Sequence, residues 1–395
     1  MKKKIIKLVV VTLLIGTVFT MTNTVSACLG FNASEDNNVL VGTNMDWSHD
    51  FNVFINFFPS DEGKYGRVIL DIPWPWFGDP DWFLPIQGMN DQGLFFDTYM
   101  TPDRPAVYSG KPFFESDDPE YYDYALWTYC LAKCSTVYEV LDIVNQYDTY
   151  CVNNISSGQL FFVDRNGDSL IIEDCNSIIF KEGNFQVVSN FLQSKPELGG
   201  YPCWRYDTAV SMLENMTDLS VEYFTSISNA THLTSTIYSS IYDLKEMKIY
   251  LYKYYKYDNI VIFDLNEEFV KGKNRYYLGS FFEPEDNQAP LKPDAPTGDE
   301  TGIPREDYRY SCKKTSDPNG DRIMYLFDWG DGSDSGWIMP QPGTLRVYHN
   351  WTVQGTYEVR VKAIDEYGRE SEWSDPLSVT MPKNKPNINI LILNF

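Results

Sequence analysis

Cys28 follows Val25-Ser26-Ala27, and the residues before it read as an export signal. Cleavage after Ala27 makes Cys28 the first residue of the mature chain, with a thiol and an α-amine on one residue. The thiolate is the nucleophilic form of cysteine, and a free thiol has a pKa of about 8.5. An α-amine has a pKa of about 7.7–8.0, so near neutrality it can take the thiol proton and later return it to a leaving amine. That chemistry needs no histidine. It does need hydrogen-bond donors for the developing oxyanion, a carboxylate to orient the ammonium, and a guanidinium whose fork of donors fixes thiol and substrate. Candidates stand in order along the chain: Asp46 in Gly42-Thr43-Asn44-Met45-Asp46-Trp47, Asn190 in Val187-Val188-Ser189-Asn190, and Arg205 in Cys203-Trp204-Arg205-Tyr206. Taken singly, each also reads as a turn residue, a strand-end cap or a surface charge. Their order behind Cys28 is what gives them weight.

The export signal rests on Lys2, Lys3, Lys4 and Lys7, a mostly apolar stretch over 5–19, and a Val25-x-Ala27 cleavage pattern. No other run approaches the roughly 18 apolar residues that span a bilayer, and the apolar tail 388–393 is far too short. The protein is therefore expected to be secreted or held at the cell surface. Without the signal about 368 residues remain, with 28 basic against 55 acidic residues and a net charge of -27, compared with -23 for the full chain. This acidity argues against nucleic acid or an anionic membrane as partner.

Seven cysteines are an odd number. In an oxidising compartment one thiol is left over, and Cys28 is read as that one. The six others can pair in 15 ways. Cys130 and Cys134 lie four apart on an expected helix and need not pair with each other, while Cys312 is alone in its region. The three histidines, His49, His232 and His349, are far apart, with no HExxH and no CxxC, so no multi-histidine metal site is expected. A Ser-His-Asp enzyme has no supporting GxSxG pattern. His49 reads as a loop residue, although a Cys28–His49 pair is the other reading of its position.

The elements that must position these groups follow from periodicity. Residues 160–163 and 169–173, joined through Asn166-Gly167, read as a hairpin, as do 248–255 and 260–265. Helical spacing is clearest over 122–133, 136–146 and 205–214, and Ser135-Thr136 ahead of Glu139 resembles a capping start. Residues 28–283 thus read as one α+β domain with αββα layering. Residues 284–296, rich in proline and acid, read as an extended, exposed linker. Beyond it Tyr357-Glu358-Val359-Arg360-Val361-Lys362-Ala363 alternates on period two, and the region reads as a small all-β sandwich over 297–383, followed by a tail over 384–395.

This C-terminal region resembles PKD-type or fibronectin-like sandwiches. Phe327-Asp328-Trp329-Gly330-Asp331-Gly332, His349-Asn350-Trp351, the 355–361 strand and Asp365-Glu366-Tyr367-Gly368 carry the resemblance. It implies a spacer or adhesion module with contacts to a cell surface or polymer. Asp317-x-Asn319-x-Asp321 has some look of a calcium loop, but is read as a polar turn between strands.

Residues 28–283 resemble the N-terminal-nucleophile linear amide hydrolases, which group choloylglycine hydrolases, penicillin V acylases, acid-ceramidase-like amidases and the acyltransferases of peptidase family C45. The carrying pieces are Cys28, Gly42-x-Asn44-x-Asp46-Trp47, Gly88-Met89-Asn90-Asp91-Gln92-Gly93-Leu94 and Asp164-x-x-Gly167-x-Ser169-x-x-x-Glu173. Val188-x-Asn190, Arg205-Tyr206 and Thr236-x-Tyr238-Ser239-Ser240 complete the series. The resemblance implies an αββα sandwich and cleavage of a small N-acyl amide without cofactor or metal. It makes Cys28 nucleophile and base, has Asp46 contact the terminal amine, Asn190 support the oxyanion, and Arg205 orient the thiol. Two departures stand out. Bile salt hydrolases carry Arg where this chain has Thr43, and their second oxyanion asparagine falls near Tyr99 or Met100, neither an amide donor. Another group must complete the hole. Asn90 reads as a turn residue rather than that donor.

The aromatic stretch Pro73-Trp74-Pro75-Trp76-Phe77-Gly78-Asp79-Pro80-Asp81-Trp82-Phe83 reads either as an acyl-pocket lining or as a core-packed loop. Val25-Ser26-Ala27-Cys28 also fits a lipobox, in which a lipid on Cys28 blocks the thiol and the protein is a surface-anchored binder. Against that, Leu29-Gly30-Phe31 enters the fold without a polar tether. A catalytically degenerate relative is the remaining alternative.

Overall fold

Burial without a break, not alternation, marks the strands that follow Cys28: both faces of the first two are covered. The computed structural model describes residues 28–382 apart from 36, 48–52, 74–82, 106–110, 113–124, 149–150, 153–154, 175–176 and 339–344. In chain order the N-terminal unit runs β1 (Leu29–Glu35), β2 (Asn38–Asp46), β3 (Phe54–Phe58), β4 (Arg67–Pro73), β5 (Phe83–Asn90), β6 (Phe95–Pro105), β7 (Lys111–Pro112), α1 (Leu126–Lys133), α2 (Val137–Val144), β8 (Tyr147–Asp148), β9 (Cys151–Val152), β10 (Ile155–Val163), β11 (Ser169–Asp174), β12 (Ser177–Phe180) and β13 (Phe185–Ser189). It continues with α3 (Trp204–Glu214), α4 (Val221–Thr231), β14 (Thr236–Asp243), β15 (Lys248–Lys253), β16 (Ile260–Asp264), α5 (Leu265–Val270) and β17 (Asn274–Tyr277).

Two sheets result. The first has six strands in the order β13-β1-β2-β14-β15-β16, and the second has nine, with β12-β11-β10-β6-β5-β4-β3-β17 along its path. They share one core: Val41, Tyr242 and Leu251 of the first pack with Phe57, Leu70 and Phe95 of the second. Phe95 and Tyr242 meet across it at 4.8 Å between ring centroids. On the far side of the first sheet, Leu29 and Phe31 pack on Leu213 of α3 and on Phe224 and Ile227 of α4. On the far side of the second, Ile69 and Phe96 pack on Leu131 of α1 and Val140 of α2. Phe31 is wholly buried, and burying such a ring is worth about 1.5–3 kcal/mol.

Local signals account for several elements. Both expected hairpins form, β10–β11 and β15–β16, each antiparallel. Gly167, at φ 89°, supplies the left-handed residue of the first turn. Thr136 caps α2, its hydroxyl accepting from the Glu139 amide while Glu139 returns the bond. Asn90 does more than turn the chain: its Nδ2 donates to the carbonyls of Leu131 and Cys134, tying α1 to the end of β5. Among the described residues no helix is long and apolar enough to cross a membrane.

The C-terminal unit is built from β18 (Tyr308–Cys312), β19 (Ile323–Asp328), β20 (Leu345–His349), β21 (Gly355–Asp365) and β22 (Leu377–Met381). β18 pairs with β20, and β19-β21-β22 form the facing sheet. Its motif residues are core: Trp351 and Trp329 are buried, His349 stacks on Trp329 at 4.5 Å, and His349 Nε2 meets Asp331 at 3.0 Å. The segment 284–296 differs from the exposed linker expected. It is extended, but Asn287, Pro290, Pro293 and Pro296 are buried, one residue in three, and the Leu291 amide and carbonyl bond to Ser316 and Thr315 of the sandwich. Its prolines give a three-residue repeat, so one edge of the segment packs while two stay wet.

A second correction concerns the thiols. Cys28, Cys130, Cys134, Cys203 and Cys312 are all unpaired, so Cys28 is not the lone survivor of a paired set. Of these, Cys130, Cys134 and Cys312 are buried and act as small apolar filling, Cys130 and Cys134 within one cluster. The expected export signal, His49, the C-terminal tail and residues 74–82 of the aromatic stretch lie outside the described residues. Pro73 and Phe83 pair with each other at the two ends of that last segment.

Candidate active site

The site begins with register. Leu29 of β1 pairs with Asn44 of β2 on one side and Ser189 of β13 on the other. One step back along both antiparallel ladders, Cys28 stands between Met45 and Asn190. Its Sγ lies 3.5 Å from Met45 Sδ and 3.7 Å from the Asp46 carbonyl oxygen, and the Ser189 hydroxyl donates to the Cys28 carbonyl at 2.9 Å. The thiol faces the inter-sheet core and is 6% exposed. Burial pushes its pKa well above the ordinary value, and the Asp46 charge pushes the same way. The hydrogen bond to the Asp46 backbone and the charge of Arg205 oppose this, with Asp97 adding to the rise.

Alternation along β2 sends its neighbours to opposite faces. Val41 and Met45 point between the sheets, whereas Asn44 and Asp46 point at α3 and α4. Asp46 Oδ2 pairs with Arg205 Nη2 at 2.6 Å, with 0% and 2% of the two side chains exposed. Thr236 donates to the other carboxylate oxygen. Arg205 Nε donates to the Thr231 carbonyl at 2.5 Å, and Arg205, Ala209 and Leu213 form the buried stripe of α3. Burial pushes the Asp46 carboxyl up to about 6, with Arg205 the main opposing influence. Asn44 donates to Ser228 and Thr231 and accepts from Ser239, so the Gly42-x-Asn44-x-Asp46 pattern anchors β2 to α4 as well as placing the carboxylate.

The four expected residues are therefore brought to the start of β1, in arrangements that differ in detail from those expected. Arg205 grips Asp46 and the end of α4 rather than the thiol itself. Asn190 gives one amide hydrogen to the Met100 carbonyl at 2.6 Å, and its oxygen has no partner among the described residues. Asp46 reaches Cys28 through its backbone oxygen.

Sequence reasoning missed a buried polar network on the thiol's side of the first sheet. Thr43 shares a 2.8 Å bond with Ser240 and accepts from Gln87 at 2.8 Å. Gln87 in turn contacts Asp97, Ser240 and Tyr242. Tyr99 donates to Asp97 at 2.6 Å, and its ring covers Gly30, where a Cβ would come within 2.0 Å of the hydroxyl. Tyr238 of β14, opposite Met45 of β2, has a buried hydroxyl with no partner among the described residues. The available signal was an aspartate inside the apolar run Leu94-Phe95-Phe96-Asp97, a residue that strands rarely carry unless it is paired. Among the described residues that bond within this network, none is a cation.

Burial therefore pushes Asp97 up to about 7, against the hydrogen bonds from Tyr99, the Thr98 amide and Gln87. An unfolded aspartate ionises near 3.9, so between that value and about 7 the native state holds a proton the unfolded chain has released. Stability contributed by this group is fully present below that window and lost as pH rises through it, at up to roughly 1.4 kcal/mol per pH unit. Asp97→Asn should remove the dependence. In urea melts at a series of pH values, the variant should gain on the native protein steadily from about pH 4 to pH 7.

An open groove of about 420 Å³ lies on the C-terminal sandwich, between Asp299, Asp307, Tyr308, Arg309 and Tyr348. Its lining includes no cysteine, serine or threonine.

A family model described as "PKD domain" matches residues 287–381. A solved PKD domain of an M14-like peptidase from a Thermoplasmatales archaeon is 42% identical, covering 25% of this chain and 99% of that one, with a TM-score of 0.23. A mutant of the conjugated bile acid hydrolase from Clostridium perfringens is similar at 19% identity, covering 63% of this chain and 96% of that one, with a TM-score of 0.44. No curated protein matches the chain.

Proposed function

We propose that this chain, whose residues 287–381 belong to the PKD domain family, is an exported amidase or acylase that cleaves a linear N-acyl amide through Cys28 as an N-terminal nucleophile. The observation that carries this reading is the convergence of Cys28, Asp46, Asn190 and Arg205 at one strand end, although they come from β1, β2, the end of β13 and α3. The two facing sheets with helices on their outer sides support an αββα layering of N-terminal-nucleophile type.

In this mechanism removal of the signal frees the Cys28 amine, which takes the thiol proton. That intramolecular base matters because burial holds the thiol protonated. The thiolate adds to the amide carbonyl, and the tetrahedral oxyanion takes hydrogen bonds from Asn190 and a second donor. The C–N bond then breaks, the leaving amine takes the proton from the Cys28 ammonium, and an acyl thioester remains. Water, deprotonated by the same amine, adds to the thioester, and acid and thiol are released. Asp46, held by Arg205 and Thr236, stabilises the ammonium. An amine acceptor in place of water makes the same cycle an acyl transfer. The C-terminal unit serves as a spacer or adhesion module toward a cell surface or polymer.

Cys28 enters the sheet directly, with its carbonyl already bonded to Ser189, which favours a catalytic terminus over a lipid tether. Intact-mass analysis of the exported protein tests the premise. A mature chain starting at Cys28 with no added lipid is expected, and a lipid mass or an upstream start would sink the mechanism.

A further inference from the structure

The C-terminal unit carries an oxygen cluster that neither its core nor the proposed chemistry uses. One carboxylate oxygen each from Asp317, Asp321 and Asp365 lies within 4.8 Å of the other two. Their remaining bonds fix the geometry. Asp317 Oδ1 accepts from the Asn319 and Asp321 amides, with Gly320 at φ 82° closing the turn. Asp365 Oδ1 accepts from the Tyr367 and Arg369 amides, and its Oδ2 accepts from Asn287 Nδ2 at 2.9 Å. Oδ2 of Asp317 and Oδ2 of Asp321 are buried without a partner among the described residues. Asn287 supplies an independent pointer: it is 4% exposed, is drawn onto Asp365, and leaves its own Oδ1 buried without a partner among the described residues.

Burying carboxylate and amide oxygens without partners is costly, and a bound cation is the usual way of meeting that cost. The donor set is all oxygen, and calcium takes such ligands at about 2.3–2.6 Å in irregular shells, whereas magnesium demands a tight octahedron at about 2.0–2.1 Å. The nearby ammonium of Lys253 is otherwise engaged. It donates to the Glu366 carbonyl at 3.1 Å and stands 3.7 Å over the Tyr367 ring.

The same turn joins the two units. The Glu366 carbonyl also accepts from Tyr277 at 2.8 Å, and its carboxylate accepts from Tyr254. Gly279 permits the approach, since a Cβ there would come within 2.2 Å of the Glu366 oxygen. We propose that Asp317, Asp321 and Asp365, together with the Asn287 side-chain oxygen, form a calcium site that fastens the C-terminal sandwich to the N-terminal unit through the Glu366 turn. The ion ties three segments together: the chain crossing at Asn287, the 317–321 loop and the 365–368 turn.

The test uses the full mature chain stripped with EDTA and titrated with calcium chloride by calorimetry. One site per chain is expected, with a Kd at or below the roughly 10⁻⁴–10⁻³ M usual for extracellular modules. Calcium, and magnesium much less, should slow hydrogen exchange of the amides at 366–369. Asp321→Asn should bind about tenfold or more weakly, since affinity follows ligand charge. Asn287→Ala, which leaves every carboxylate in place, should also weaken binding and covers the case in which Asp321→Asn does not fold. No saturable binding at millimolar calcium would overturn the site, as would wild-type affinity in both variants. Binding without added protection at 366–369 would overturn the fastening role.

Discussion

Cys28→Ala is expected to abolish amide cleavage while leaving the fold intact. In the proposed cycle the thiol forms the acyl-enzyme bond, while the neighbouring Ser189 hydroxyl is engaged with the Cys28 carbonyl. Turnover on a panel of N-acyl amino acids, penicillin V and conjugated bile acids should fall by a factor on the order of 10⁴ or more. The structural cost is small, because the side chain contributes one sulfur contact with Met45 and one weak bond to the Asp46 carbonyl. A loss of about 1 kcal/mol in a urea melt is the expected scale. Cys28→Ser keeps the shape and should be nearly as inactive, since an alkoxide is much harder to form than a thiolate. Hydrolysis that survives Cys28→Ala would place the active centre elsewhere. A native protein that cuts no member of the panel would favour a catalytically degenerate relative. The panel also sorts substrates by the acyl and amine parts they carry.

The second large effect is expected at Arg205. Its pair with Asp46 is almost wholly removed from water, and breaking such a pair by deleting one partner typically costs about 3–5 kcal/mol because a charge is left buried and alone. Arg205→Met should therefore destabilise strongly in urea melts. Arg205→Met combined with Asp46→Leu should recover much of the loss, since the uncompensated carboxylate is gone. Activity should not recover in the double variant, because in the proposed cycle Asp46 is the group that steadies the ammonium. Stability losses that simply add would show that the two side chains act separately. Arg205→Lys is not a mild change here, because lysine cannot hold both the Asp46 carboxylate and the Thr231 carbonyl.

The residues that were legible share a property: their meaning is local. Thr136 and Glu139 are three apart and cap a helix through bonds within one turn. Asn166-Gly167 bends one hairpin, and the alternation of 357–363 marks one strand. Asp46 and Arg205 were legible as site candidates through a resemblance, but the bond between them was not, since it depends on which face of β2 meets which stripe of α3. Asp97 shows the opposite limit. Within Phe95-Phe96-Asp97-Thr98 it is one acid in an apolar run, and only packing brings it to Gln87 and Tyr99. Asn287 is similar. Proline content announced an extended segment, yet which side of it packs, and that Asn287 reaches Asp365, are set by contacts far away in sequence.

By itself the chain determined its punctuation and its chemistry-bearing inventory: a cysteine directly behind Val25-Ser26-Ala27, the turns, the helix starts, and a C-terminal region with the PKD pattern. Those follow from bonds between near neighbours and from periodicity, which the residues carry with them. Tertiary structure decided how the inventory is used. It set the thiol between two sheets and its carboxylate on the opposite face, gave Arg205 to Asp46 rather than to sulfur, left five described cysteines unpaired, and gathered Asp317, Asp321 and Asp365 beside the turn where the two units meet. Each of these depends on side-chain direction and register between distant strands, where a step of one residue moves every group to the other face.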